Sequence, residues 1–212
     1  ASAKGAPDIS TVPADLTIPP LTEGKPASGK RVKGVHPDWG ETKAHHVIYL
    51  PENWEKGATY PVIVEYAGNG NYRNRFGDAS SGRPQDSKMG YGLSGGKGYL
   101  WLCLPYLSND GKNNGIKWWG EPHKSDPAPT LEYAKATVPW ICKKYGGDQE
   151  KVILVGFSRG AIACNFIGLH DDEIAKLWRA FVAYSHYDGV RKWGYPKSDR
   201  ADATERLDRK SG

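Results

Sequence analysis

The stretch "KVILVGFSRGAIA", residues 151–163, narrows what this chain can fold into more than any other. Val152-Ile153-Leu154-Val155 is apolar and mostly β-branched, the composition of a strand buried on both faces. Ala161, Ile162 and Ala163 follow, and with Cys164, Asn165, Phe166 and Ile167 they read as a helix whose small residues come first, where it lies close to a sheet. Between strand and helix stands Gly156-Phe157-Ser158-Arg159-Gly160, a G-x-S-x-G match. In this pattern a strand turns sharply into a helix and lifts a serine hydroxyl out at the turn. Glycine is needed two residues before and two after, because a Cβ there collides with adjoining backbone. Gly92-Leu93-Ser94-Gly95-Gly96 matches the same letters. Ser94 has no strand before it and no helix after it, so we expect Ser94 in a glycine-rich loop and Ser158 as a nucleophile.

A chain of 212 residues fits one domain with ample length for a core. The net charge of +5 is scattered and no basic stripe interleaves with aromatics, which argues against a nucleic-acid partner. No apolar run reaches the length needed to cross a bilayer, so no membrane partner is expected. There is no C-x-x-C, and His45-His46 lacks metal-ligand spacing, so we expect neither a metal nor a cofactor. Cys142 and Cys164 fall on predicted helices flanking the 152–155 strand, where they are either bonded to one another or free. Residues 1–29 are proline-rich, small and polar and read as an extended arm, leaving 30–212 as the folded domain. The start at Ala1 suits a secreted or periplasmic protein whose signal has been removed, or a trimmed chain.

Along that domain, residues 46–50 read as a strand stopped by Pro51, paired with 30–35 through a turn at Pro37-Asp38-Trp39-Gly40. Buried strands are expected at Tyr60–Tyr66, 99–104 and Ala180–Tyr184, with a long polar loop reaching to Lys97. Leu131, Ala134, Val138, Ile141 and Tyr145 follow helical spacing, with Thr130 as N-cap, Gly146 as stop and Pro139 interrupting. A charged helix is expected over 198–209. Strands alternating with helices imply an α/β layered sheet.

"YLPENWEKGATYPVIVEYAGNG" followed by "GGDQEKVILVGFSRGA" resembles the α/β-hydrolase fold, and within it the polyhydroxybutyrate-depolymerase and feruloyl-esterase-like group of secreted esterases. The resemblance covers residues 47–189 and implies a mostly parallel central sheet flanked by helices. It implies serine-dependent hydrolysis of a carboxylic ester, in a polyester or plant cell wall, with a small-molecule or polymer ester as the partner. Tyr60–Tyr66 becomes the third strand of the fold, and Ala67-Gly68-Asn69-Gly70 stands where many relatives carry His-Gly-Gly-Gly.

The chemistry asks for more than a serine. A hydroxyl is a weak nucleophile and needs a histidine base oriented by a carboxylate. Two main-chain N–H donors must hold the oxyanion; Arg159 supplies one, and Asn69 is our choice for the other. The Arg159 side chain is either solvated or holds a substrate carboxylate. Only His170 and His186 follow Ser158 in sequence, and His170 stands roughly 18 Å along the helix, out of reach. His186 and Asp188 lie just past the Ala180–Tyr184 strand. They are candidates for base and acid, with a packed histidine and a turn residue before Gly189 as the alternatives. In this fold the histidine normally follows the last strand, so we expect it in residues beyond Gly212, on a strand covering the Ala180–Tyr184 edge. Tyr66, Tyr106, Trp118, Trp119 and Tyr187 are candidates for stacking on a sugar or phenolic ring, or for packing. A peptidase of the same fold and a non-catalytic module that binds polysaccharide or phenolic ligands are the competing readings.

Overall fold

Parallel strands are covered on both faces in a stable sheet, and this sequence covers all but the last of its long ones. The computed structural model describes residues 8, 11–12, 15–75, 79–121 and 124–209. Its central sheet contains β1 (Leu21–Thr22), β2 (Arg31–Gly34), β3 (His46–Tyr49), β4 (Tyr60–Tyr66), β5 (Leu100–Leu104), β6 (Gly147–Phe157) and β7 (Ala180–Tyr184). The strands lie in the order β1-β2-β3-β5-β4-β6-β7. Only β3 runs against its neighbours, pairing antiparallel with β2 and β5. The remaining pairs are parallel. The strand counted third by resemblance is β4 here, because β1 adds one at the start. Leu21 and Thr22, expected in an extended arm outside the folded domain, pair with Arg31 and Val32 as an edge strand of the sheet.

Alternate side chains of the strands point to opposite faces. Val62, Val64, Leu102, Val152 and Leu154 share one core with helices α2 (Ala128–Tyr145) and α3 (Arg159–Phe166). Ile63, Trp101, Cys103 and Val155 share the other with Tyr91 of α1 (Met89–Ser94). The short α4 (Asp172–Ala175) follows α3, and α5 (Arg200–Asp208) packs on α3 near the C-terminal end of the described residues.

Two local expectations change, and one left open is decided. The segment around Ser94 is helical, and Ser94 Oγ donates to the Gly90 carbonyl at 2.9 Å. Helix α2 begins at Ala128, with Pro127 at the cap. Thr130 lies one turn inside and uses its hydroxyl to accept from Leu107 N–H at 3.0 Å. Cys103, Cys142 and Cys164 are all buried free thiols.

His46 on β3 is buried with its Nδ1 2.8 Å from the Tyr133 hydroxyl. Burial first, then the positive charge of His36, His45 and Lys144, pushes its pKa down to about 3. Between about pH 6.5 and 3 the unfolded chain therefore binds a proton that the folded chain refuses. Stability should fall as pH falls through that window, by up to about 1.4 kcal/mol per unit from this residue. Urea midpoints at pH 7, 6 and 5 check this, and His46→Gln should flatten the slope; an equal slope in that variant contradicts it.

The outer edge of β7 carries no strand partner among the described residues. Phe181, Val182 and Tyr184 on it are 38%, 37% and 62% exposed. An uncovered apolar strand beside a core is an association liability in any sheet.

Candidate active site

Strand β6 delivers Ser158 to the top of the sheet at the point where α3 begins. The Ser158 backbone sits at φ 55°, ψ −126°, a left-handed conformation that a side chain adopts only under constraint. Its N–H donates to the Tyr184 carbonyl at 3.1 Å, and its own carbonyl accepts from Ala161 N–H at 2.9 Å. Both flanking glycines are sterically required. A Cβ on Gly156 would stand 2.2 Å from the Gly160 carbonyl oxygen, and one on Gly160 would stand 2.2 Å from that of Tyr66. These obstacles are backbone and have nowhere to move. Gly160→Ala should cost about 1–3 kcal/mol, by pushing β4 from α3, and lower turnover with it. Thermal unfolding and activity of the variant test this; an unchanged melting temperature contradicts it.

The loop after β4 is held against the elbow by Ser80. Gly70 N–H donates to Ser80 Oγ at 3.2 Å. Asn71 N–H donates to the Ser80 carbonyl at 2.8 Å, and Gly82 N–H to that of Gly68 at 2.7 Å. A Cβ on Gly68 would lie 2.5 Å from Ser80 Oγ and 2.8 Å from the Phe157 carbonyl oxygen, so this loop touches the elbow backbone. Tyr106 fixes the Ala67 carbonyl with its hydroxyl at 2.7 Å. The Asn69 side chain is clamped as well, donating to the Ile116 carbonyl at 2.8 Å and accepting from Arg159 Nη1 at 3.3 Å. Among the described residues, the main-chain N–H groups of Asn69 and Arg159 have no acceptor. Two N–H groups on segments packed against the serine are thus left open.

A cleft of about 430 Å³ opens beside the elbow, lined by Gly68, Phe157, Tyr184, Tyr72, Met89 and Glu65. Sequence reading overlooked Glu65, a lone acid in "PVIVEYAG". Its carboxylate is buried and accepts from Gly90 N–H and Trp101 Nε1, both at 2.8 Å, and from Lys88 and Met89 N–H, both at 3.1 Å. Burial pushes the Glu65 carboxyl above its usual range against four hydrogen bonds that favour charge. It caps α1 from outside the helix.

Tyr66, Tyr106 and Trp118, candidates for contact with a substrate ring, are fully buried. Tyr66 and Tyr106 stack at 5.2 Å, and Trp118 packs edge-on to Trp119 at 4.6 Å. Their apolar area is worth more in the core than in a cleft, so they support the site from beneath. Trp119 is half-buried and stacks on Tyr195 at 4.6 Å. Tyr187 is 40% exposed and borders a separate cavity of about 300 Å³ with Phe181 and Leu207.

His186 is exposed, and its Nδ1 lies 2.7 Å from Ser185 Oγ. Asp188 is buried; its carboxylate accepts from Arg206 Nη2 at 2.6 Å, Asn165 Nδ2 at 3.2 Å and Gly189 N–H at 3.1 Å. No hydrogen bond joins His186 to Asp188, or either one to Ser158, among the described residues. His170 packs on Phe166 and faces Asp171 at 3.4 Å. The mostly parallel sheet, the strained serine turn and the N–H-bearing loop on the neighbouring strand make up the α/β-hydrolase arrangement.

No family model and no curated protein matches this chain. Among solved structures it is similar to juvenile hormone esterase from Manduca sexta with OTFP covalently attached, at 18% identity and TM-score 0.46, over 68% of this chain and 25% of that one. It is similar to esterase 2 of Thermogutta terrifontis phosphoramylated by tabun, at 19% identity and TM-score 0.43, over 67% and 51%. A thermophilic PNB esterase matches at 16% identity and TM-score 0.47, over 79% and 34%. The chain thus spans between 25% and 51% of the length of these structures.

Proposed function

We propose that this chain carries the nucleophile and oxyanion hole of a serine-dependent carboxylic ester hydrolase that acts through an acyl-enzyme, on a polyester or plant cell-wall ester. The observation that carries the reading is Ser158 at φ 55° on the strand–helix turn, with the Asn69 and Arg159 N–H groups uncommitted among the described residues. Ser158 Oγ attacks the ester carbonyl while a histidine takes its proton. The oxyanion rests on Asn69 and Arg159 N–H, and the alcohol leaves with the proton returned. Water then attacks the acyl-serine by the same route. Each oxyanion donor contributes about 3 kcal/mol at the transition state.

His186 and Asp188 are the candidates for base and acid within the chain. Among the described residues no hydrogen bond joins them to each other or to Ser158, and His186 is exposed with its Nδ1 on Ser185. We therefore assign the base to a histidine brought to the uncovered edge of β7, whose Tyr184 carbonyl already touches the elbow. In the full natural protein, retention of turnover by His186→Gln agrees with this assignment, and loss by several orders of magnitude overturns it. The reaction class is tested by comparing p-nitrophenyl acetate, methyl ferulate and an aminoacyl-anilide. Faster ester turnover is expected; anilide cleavage without ester preference reverses the assignment.

A further inference from the structure

Two arginines near the nucleophile lack the acids that Arg179 and Arg206 hold. Arg159 follows Ser158 directly, and its guanidinium carbon lies 5.6 Å from the Trp193 ring centroid. The guanidinium carbon of Arg191 lies 3.9 Å from the same centroid. The His186 ring is 6.4 Å from it. One indole thus gathers two guanidiniums and an imidazole next to the elbow. Arg159 spends a single N–H donor, on Asn69, and Arg191 donates no hydrogen bond among the described residues. Neither forms an ion pair there. By contrast, Arg206 and Arg179 both hold carboxylates.

Residues 185–193 contain one acid, Asp188, and Arg206 consumes its charge in a buried pair. Arg191 and Lys192 are the remaining charges of that segment, and Lys192 lies near Asp199. A cation over an indole gains about 0.5–1 kcal/mol when exposed, but two cations on one indole repel. An anion placed between them removes that repulsion and takes up the open N–H forks, which match a planar carboxylate.

We propose that Arg159, Arg191 and Trp193 form a subsite for a carboxylate on the substrate, so that the preferred esters are negatively charged. This inference rests on reading Ser158 as the nucleophile, and its test separates the two. In the full natural protein, the mono-p-nitrophenyl ester of glutaric acid is compared with p-nitrophenyl valerate, where a methyl replaces the carboxylate. The ratio of kcat/KM should favour the charged ester about tenfold at low salt and shrink at 1 M NaCl. Arg191→Gln should abolish most of that preference, and Arg191→Lys should restore part of it. A preference for valerate, or a ratio that Arg191→Gln does not move, overturns the subsite.

Binding is read separately by calorimetry, with monomethyl glutarate on the Ser158→Ala protein. Binding that weakens about tenfold in the Ser158→Ala, Arg191→Gln double variant supports the subsite; no binding, or equal binding, overturns it. If monomethyl glutarate binds through Arg191 while the natural protein hydrolyses neither ester, the subsite stands and the hydrolase reading falls.

Discussion

Ser158→Ala should remove ester hydrolysis by a factor on the order of 10⁶ and leave the fold in place. The hydroxyl makes no hydrogen bond to another described residue, so its loss opens no buried gap and stability should move by no more than about 0.5 kcal/mol. Ser158→Gly should be equally inactive yet more stable than Ser158→Ala by about 1 kcal/mol. Only glycine adopts the backbone at φ 55° without strain. Activity on p-nitrophenyl acetate and urea unfolding of both variants give the comparison. A glycine variant no more stable than the alanine variant would remove the argument that the elbow is strained.

The second large effect lies away from the serine. The Asp188 and Arg206 side chains are 0% and 6% exposed and joined at 2.6 Å. Asp188→Ala leaves a buried guanidinium uncompensated and should cost about 3–5 kcal/mol, loosening α5 from α3. Replacing both partners, as Asp188→Leu with Arg206→Met, should recover most of that loss. Asp188→Asn tells structure from catalysis. A variant that unfolds early but keeps its kcat shows a structural pair, whereas one that folds normally and loses turnover is the acid of the triad. Chemical denaturation combined with kcat on the same preparations reads both.

How much of this was legible depends on whether a feature is local. Tyr60–Tyr66 and Ala180–Tyr184 were expected as strands over the residues that form them, because apolar runs advertise themselves; the second was expected buried and is instead largely exposed, because nothing described covers its outer edge. The elbow was legible from its own letters: Gly156 answers to the Gly160 carbonyl four residues on, while Gly160 answers to Tyr66 on a neighbouring strand far off in sequence. Gly68, in the stretch that stands where many relatives carry His-Gly-Gly-Gly, does press on the elbow backbone at Phe157. Helix α1 was missed because "MGYGLS" has two glycines and poor helix propensity; Glu65, remote in sequence, caps it from a strand. Thr130 has the chemistry of a cap, but the residue it serves is Leu107 across a chain crossing.

The same limit governs the site. Tyr66, Tyr106 and Trp118 belong to residue types that suit a binding cleft or a core equally well, and only packing decides between them. Asp188 and Arg206 are 18 positions apart and meet because α5 folds back on α3. The Arg159–Trp193–Arg191 grouping likewise arises from the path of the loop after β7, which no periodicity encodes.

The central claim, that Ser158 is an activated nucleophile, is tested most directly by covalent labelling of the full natural protein. A fluorophosphonate is added, the protein is digested with trypsin, and the modified peptide is identified by mass. The account predicts one labelled peptide, residues 152–159, with label at Ser158 and none in Ser158→Ala. Label at Ser94, label that survives Ser158→Ala, or no label at all would contradict it.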